Sequence, residues 1–373
     1  HLLSRRQRQM CIRDREEREY LRVNRFWVDD NEDEIALLER EINHNIQKRQ
    51  KELELTIALT NYCNFSCVYC YQNKNEKLMT TEVANMIIEK IDRILNDNIF
   101  EGINIHYFGG EPLLNIPVLI YLDENIKKIT DKIGIVYKAF LTTNGSMLSK
   151  ELLQKVKFSS IQLTFDGLEK THDRLRVSDH FHFKEEIELI ENIMNFSQAK
   201  VLLRTNICKE NKDEIIALHK YIFEKFGNER IEINPNRTIK YHQDDSFEML
   251  SVQEYAEVAY QIKLLWSEQK GKFELPVPRS TPCKFPYGNA YAISPEGYCT
   301  FCSGSMDQEK KYFFDVDIEN KKMFSVRKEC KKCNILPLCL GGCIIQYNLR
   351  AGACTYEKYE LKNILISYIK HIS

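Results

Sequence analysis

Three cysteines within eight residues carry the strongest chemical signal in this sequence. The stretch Asn61-Tyr62-Cys63-Asn64-Phe65-Ser66-Cys67-Val68-Tyr69-Cys70 spaces them as C-x3-C-x2-C. Three thiolates on one short loop can hold three irons of a cubane cluster and leave the fourth iron open to a small chelating molecule. A structural zinc site asks for four closed ligands, and the first histidine after this stretch is the distant His106. A zinc knuckle or a chance group of buried cysteines is the alternative, and the spacing argues against both.

A second group follows residue 280: Cys283, Cys299, Cys302, Cys330, Cys333, Cys339, Cys343 and Cys354. Eight thiolates are the number that two four-iron clusters require. Two four-cysteine zinc sites are the alternative, because C-x2-C pairs often make them. Of the 13 cysteines in the chain, only Cys11 and Cys208 stand outside these groups. Cys208 reads as a buried structural thiol.

These residues need elements to position them. Leu53, Leu55, Ile57 and Leu59 alternate as in a strand that ends at Thr60, directly before the first cysteine loop. A helix follows from about Thr80, with Val83, Met86, Ile87, Ile91 and Ile94 on one face. A strand from Ile103 to Phe108 is stopped by Gly109-Gly110, then come a helix near 116–130 and a strand near 135–142. A short helix from Ser149 leads to a strand over Ile161 to Phe165, ended by Asp166-Gly167. A helix near 183–196, a strand from Val201 to Ile207, and a helix near 213–226 with Gly227 as its C-cap continue the pattern. Ile231 to Ile233 is the sixth strand, halted by Pro235, and Ser251-x-x-Glu254 reads as a capping box opening a sixth helix. Regular strand–helix alternation predicts a parallel sheet with helices packed outside it. Six units are too few for an eight-fold barrel, so a partial barrel is expected, with chemistry in the loops after the strands.

The expected fold class is therefore α/β: a partial (β/α)6 TIM-like barrel over residues 51–274, then a small cysteine-rich iron–sulfur domain over 275–373 that closes with a helix near 357–371. Residues 16–50 form an N-terminal extension. Residues 1–15 read as a scar, since Gln9 to Arg15 match the in-frame translation of a transposon-end adapter. With 373 residues, 43% of them hydrophobic, the chain can bury a sizeable core. Its net charge of −1 predicts neither nucleic acid nor an anionic membrane as partner. No apolar run reaches the roughly 18–20 residues of a membrane span and no signal peptide is visible, so a cytoplasmic location is expected.

On these residues the chain resembles the radical S-adenosylmethionine (SAM) superfamily. Its hallmark is C-x3-C-x2-C with an aromatic residue before the last cysteine, the place of Tyr69. Gly109-Gly110-Glu111-Pro112, after the second strand, is similar to the family's stretch that contacts the SAM amino group. Glycine lets backbone approach a ligand closely, and a carboxylate can accept a charge-assisted hydrogen bond from an ammonium; alone, this stretch would be an ordinary turn. The resemblance also implies that Thr143, Asn144, Thr164, Asp166, Arg176 and Arg204 touch SAM or line the substrate cavity, with His172, Asp173, Asn234 and Arg237 nearby. Each has an alternative as a turn residue or a surface salt bridge.

The later cysteines resemble a SPASM-type C-terminal domain: Cys283, then Gly297 separated from Cys302 by four residues, then C-x2-C-x5-C-x3-C from Cys330 to Cys343, then Cys354. In such domains the ligands interleave. The resemblance implies a first auxiliary [4Fe–4S] cluster on Cys283, Cys302 and Cys343, with Cys299 either completing it or standing apart, and a second on Cys330, Cys333, Cys339 and Cys354. The implied activity is that of an oxidoreductase with Cys63, Cys67 and Cys70 as catalytic residues. It cleaves SAM reductively to a 5′-deoxyadenosyl radical and modifies a ribosomally made peptide, for example by a thioether or carbon–carbon crosslink. Implied cofactors are SAM, its [4Fe–4S] cluster and two auxiliary clusters; implied partners are a peptide or protein substrate and an electron donor such as flavodoxin or ferredoxin. An anaerobic sulfatase maturase making formylglycine is one alternative, weakened because such enzymes carry Asp where Ser303 follows Cys302. A non-catalytic iron–sulfur electron carrier is the other.

Overall fold

The computed structural model describes residues 32–49, 51–72, 74–97, 100–227, 230–240, 247–271, 275–287, 289–300, 302–305, 311–316, 323–343 and 354–372. The expected scar and residues 16–31 and 50 of the expected extension lie outside them. The chain forms two compact units, 1–41 and 42–373. Of the first, residues 32–41 are described, and they include the beginning of helix α1 (Glu34–Arg49). The second carries everything that follows.

Six strands run parallel and in sequence order: β1 (Glu52–Ala58), β2 (Gly102–Phe108), β3 (Val136–Thr142), β4 (Phe158–Thr164), β5 (Lys200–Ile207) and β6 (Ile231–Arg237). Between them lie α2 (Thr81–Asp97), α3 (Ile116–Ile133), α4 (Lys150–Lys155), α5 (Glu169–Leu175), α6 (Phe183–Phe196) and α7 (Ile215–Phe226); α8 (Val252–Lys270) follows β6. The sheet does not close on itself. Its order is β6-β5-β4-β3-β2-β1, continued by β7 (Ala290–Ile293), β8 (Tyr298–Thr300) and β9 (Lys311–Tyr312). The expected α/β fold is what is observed, with a cysteine-rich C-terminal region containing α9 (Lys284–Tyr287), α10 (Leu336–Cys339) and α11 (Glu357–Ile372). Among the described residues no helix is long and apolar enough to cross a membrane.

Strand alternation builds the two faces of the sheet. Leu53, Leu55, Ile57, Ile103, Ile105, Tyr107, Ile161, Leu163, Val201 and Leu203 form one core with the helix residues Ile87, Ile91, Leu119, Leu122, Ile126, Ile190 and Ile193. Each such aliphatic side chain contributes roughly 1.5–3 kcal/mol by leaving water. The intervening residues, among them Thr56, His106, Gln162, Arg204 and Asn234, give the other face a polar lining. There His106 Nε2 meets Thr142 Oγ1 at 2.7 Å, and burial together with nearby Lys284 lowers the imidazole to about 4.

Four departures from the sequence reading have physical causes. Pro235 does not halt β6, which runs on to Arg237 with Pro235 opposite Thr205. As the end strand of the sheet, β6 has a free side on which no N–H is needed. Met86 is 39% exposed and leaves the apolar face of α2 to Ala84, Ile87, Ile91, Ile94 and Leu95. The seven-residue α5 has too short an apolar pattern to be read. Strand β7 pairs with β1 in parallel, so the C-terminal region shares the sheet of the barrel. The capping box before α8 is present: Ser251 Oγ accepts from Glu254 N at 3.1 Å, and Glu254 Oε2 accepts from Ser251 N at 2.8 Å.

Candidate active site

The loop after β1 carries Cys63, Cys67 and Cys70 and is rooted by backbone. Asn61 N donates to Lys77 O and Met79 N to Leu59 O. Asn115 Nδ2 reaches both Leu59 O at 3.1 Å and Met79 O at 2.9 Å. Phe65, 1% exposed, anchors the loop from below. The three thiols stand partly exposed and near one another. Burial raises Cys63 above its usual value, and raises Cys67 to about 11 despite the opposing charge of Arg176. Binding iron to thiols so raised must displace their protons, so loading is coupled to proton release.

Gly109 and Gly110 let the backbone after β2 come close to the cysteine loop. A Cβ on Gly110 would sit 2.2 Å from Tyr62 O, and one on Gly109, at φ +140°, 2.4 Å from Thr60 O. The close approach is to the cysteine loop itself. Gly110 N donates to Thr60 O at 2.8 Å and Glu111 N to Tyr62 O at 2.9 Å.

Glu111 is fully buried. Its carboxylate accepts from Leu113 N at 2.9 Å, Thr143 Oγ1 at 2.7 Å and Asn144 N at 2.6 Å. A carboxylate offers about four lone pairs, so these contacts leave about one for a ligand. Burial raises the group to about 6 against the pull of those donors. Asn144 in turn donates to Asn64 Oδ1 at 2.8 Å and approaches Cys63 Sγ at 3.8 Å. The ends of β1, β2 and β3 are thus one hydrogen-bonded unit.

The ends of β4 and β5 close the other side. Tyr69 OH donates to Asp166 Oδ2. Asp166 is fully buried; its Oδ1 accepts from Asn206 N at 2.7 Å and its backbone carbonyl from Asn211 Nδ2 at 2.7 Å. Burial raises Asp166, with Arg176, Tyr69 and Asn206 opposing. Thr164 ends β4 opposite Arg204 of β5, whose Nε donates to Asn206 Oδ1 at 2.8 Å.

Arg176 is 6% exposed, yet its Nε has no hydrogen-bond partner. A nearly buried guanidinium with an open donor beside the cysteine loop is a fit for an anionic group such as the SAM carboxylate. Asp173 instead accepts from Phe183 N at 2.8 Å and braces the start of α6. Asn234 donates to Gln162 Oε1 at 3.3 Å and Arg237 to Leu250 O at 2.9 Å, both away from the loop. Sequence reasoning missed Asn115 and Asn211. Neither has a local pattern to reveal it, because each acts on residues distant in the chain.

The later cysteines fall into two neighbourhoods. Burial raises the Cys302 thiol, and the Cys283 and Cys343 thiols lie close enough to add to that. Cys339 is raised by burial, with Cys330 and the Thr355 hydroxyl nearby; Thr355 adjoins Cys354. A backbone N–H two residues on donates to Cys302 Sγ at 3.3 Å and to Cys339 Sγ at 3.4 Å. Cys333 follows Cys330 in a turn, its N–H donating to Cys330 O at 3.0 Å. Cys299 stands apart, 6% exposed, within the apolar core; burial alone raises its thiol to about 12. No disulfide joins the twelve described cysteines. Among the described residues no three ligating side chains converge on a single ion; a cubane asks each cysteine for a different iron.

An open parallel sheet with a cysteine loop at the C-terminal end of its first strand defines an α/β protein. Residues 57–222 match the family model for the radical SAM superfamily, and the chain carries a radical SAM domain. That family uses a [4Fe–4S] cluster and SAM.

The chain is 24% identical to the radical SAM cyclopropyl synthase TigE of Paramaledivibacter caminithermalis, over 87% of this chain and 76% of that one. Several other curated relatives are matched over about half their length or less. An uncharacterised protein of Methanocaldococcus jannaschii is 34% identical over 31% of this chain and 39% of its own. GTP 3′,8-cyclase of Helicobacter pylori is 31% identical over 48% and 53%. Among solved structures, anSMEcpe with bound AdoMet and Cp18Cys peptide is similar in fold, with TM-score 0.67 and 18% identity over 86% of this chain and 100% of that one. Streptococcus suis SuiB bound to the precursor peptide SuiA has TM-score 0.57 and 17% identity, over 92% and 86%.

Proposed function

We propose that this protein is a radical SAM peptide maturase that crosslinks a ribosomally made peptide. The observation that carries this reading is the C-terminal extension of one sheet. The cysteine loop follows the end of β1, while Lys284, next to Cys283, meets Glu54 near the start of the same strand. At about 3.3 Å per residue, the six steps from Glu54 to Thr60 amount to roughly 20 Å. One redox centre at each end of β1, with the polar face of an open sheet beside it, suits a substrate that enters sideways as a chain.

When bound, the cluster and SAM supply a 5′-deoxyadenosyl radical that takes hydrogen from an unactivated carbon. The protein's own part is to hold and orient. Cys63, Cys67 and Cys70 hold the cluster. Arg176 and the open lone pair of Glu111 meet the carboxylate and ammonium of SAM, while Thr143, Asn144 and Asp166 keep those groups in place. Tyr69, Gly109 and Gly110 fix the loop, and Thr164 and Arg204 line the way to the substrate. Cys283, Cys302 and Cys343 hold one auxiliary cluster and Cys330, Cys333, Cys339 and Cys354 a second, with Cys299 left in the core.

The fold shared with anSMEcpe bound to the Cp18Cys peptide and with SuiB bound to the precursor peptide SuiA supports a peptide as substrate. The similarity to a cyclopropyl synthase favours a carbon–carbon bond as the product. Co-expression with a short peptide encoded nearby, followed by mass spectrometry, is the test. The expected product is lighter by two hydrogens, and deuterium moves from a labelled side chain into 5′-deoxyadenosine. A formylglycine product would favour sulfatase maturation instead, and turnover of a small molecule with no change in the peptide would exclude the peptide reading.

A further inference from the structure

The segment bearing Cys67 lies along the segment bearing Arg176. Ser66 N donates to Val177 O at 2.8 Å and Val68 N to Leu175 O at 3.0 Å. That crossed pattern is antiparallel and sets Cys67 opposite Arg176. The guanidinium lies 5.4 Å from the centroid of the Phe65 ring; burial opposes its charge, and the nearby Glu186 and Asp166 carboxyl groups favour it. Glu186, on α6, is fully buried, and its Oε2 lies 3.1 Å from His172 Nε2. Neither element needs this carboxylate for its backbone, and the proposed SAM contacts do not use it. Arg176 is nearly buried and Glu186 fully so, and charges in such dry surroundings act on one another far more strongly than in water.

We propose that Arg176 and Glu186 are positioning residues of opposite sign that set the reduction potential of the cluster on Cys63, Cys67 and Cys70. The inference rests on the reading that these three thiols hold that cluster. Reduction moves one electron from an external donor onto the cluster and adds one negative charge. The Arg176 guanidinium stabilises the charged product; the Glu186 carboxylate opposes it.

The test is an anaerobic redox titration of the full reconstituted chain, followed by electron paramagnetic resonance without SAM, so that any contact of Arg176 with SAM plays no part. Subtracting the spectrum of the Cys63/Cys67/Cys70→Ala variant isolates the relevant signal. In Arg176→Gln the ratio of reduced to oxidised cluster at a fixed potential is expected to fall about tenfold, a shift of about 59 mV for one electron. Glu186→Gln is expected to shift it the other way, and Arg176→Lys to stay with the wild type. Equal potentials in all variants, shifts of one sign for Arg176→Gln and Glu186→Gln, or an Arg176→Lys shift as large as that of Arg176→Gln would overturn the inference. If Arg176→Gln does not fold, the sign of the Glu186→Gln shift decides. If the wild type and the triple alanine variant have equal iron and identical spectra, the cluster assignment itself fails, and the inference with it.

Discussion

Gly110 shows how tightly the cysteine loop is held. Any side chain there meets the Tyr62 carbonyl at 2.2 Å, and backbone cannot move aside as a flexible side chain would. Gly110→Ala is expected to cost about 1–3 kcal/mol, the usual range for overpacking, and to lower iron content after reconstitution. Urea unfolding and an iron assay check both; wild-type values in each would mean the loop can yield. Replacing Cys63, Cys67 and Cys70 together by Ala should spare the fold, since none of the three is fully buried, and should end formation of 5′-deoxyadenosine from SAM. The cysteine loop could be read from the sequence because its three thiols lie within eight residues. The full duty of Glu111 could not. Its partner Asn144 lies 33 residues away and reaches it only through the β2–β3 register.

At the scale of elements, periodicity made most of the fold readable. Period-two and period-3.6 apolar patterns located the parallel strands and most of the helices between them. The end of β6 could not be read, because whether Pro235 stops a strand depends on which strand is outermost. The join of β7 to β1 could not be read either, since nothing local to residues 290–293 names so distant a partner. One element junction carries a titration. His219 of α7 is fully buried, accepts from Trp266 Nε1 of α8 at 3.1 Å and contacts Thr205 Oγ1 of β5 at 3.2 Å. Burial lowers its imidazole from 6.5 to about 3. The unfolded chain therefore binds a proton below pH 6.5 that the folded chain refuses. Stability present above pH 6.5 is lost as pH falls toward 3, by up to about 1.4 kcal/mol per pH unit. Denaturant unfolding between pH 7 and 5.5 should show this slope in the wild type and a shallower one in His219→Gln; equal slopes would remove His219 as its source.

For the whole molecule, the reading of two further clusters makes a simple count. Three cubanes call for about twelve irons per chain. Anaerobic reconstitution with iron assay and Mössbauer spectroscopy should find them; stoichiometric zinc with about four irons would defeat the auxiliary-cluster reading. The grouping of the later cysteines was visible as spacing, but the place of Cys299 was not. Ile293 pairs with Cys299 across the β7–β8 ladder, and that pairing turns the thiol into the core. The position of β7 also orders events at the ribosome. One edge of β1 is covered by β2, complete at residue 108, while the other waits for β7, complete at residue 293. At about 5–20 residues per second, that second edge stays bare for roughly ten to forty seconds. The partners that hold the cysteine loop, from Gly110 to Asn211, have all been made by then. The first thiol set can therefore be shaped before the last cysteines exist, and a nascent chain must shield one strand edge while it waits.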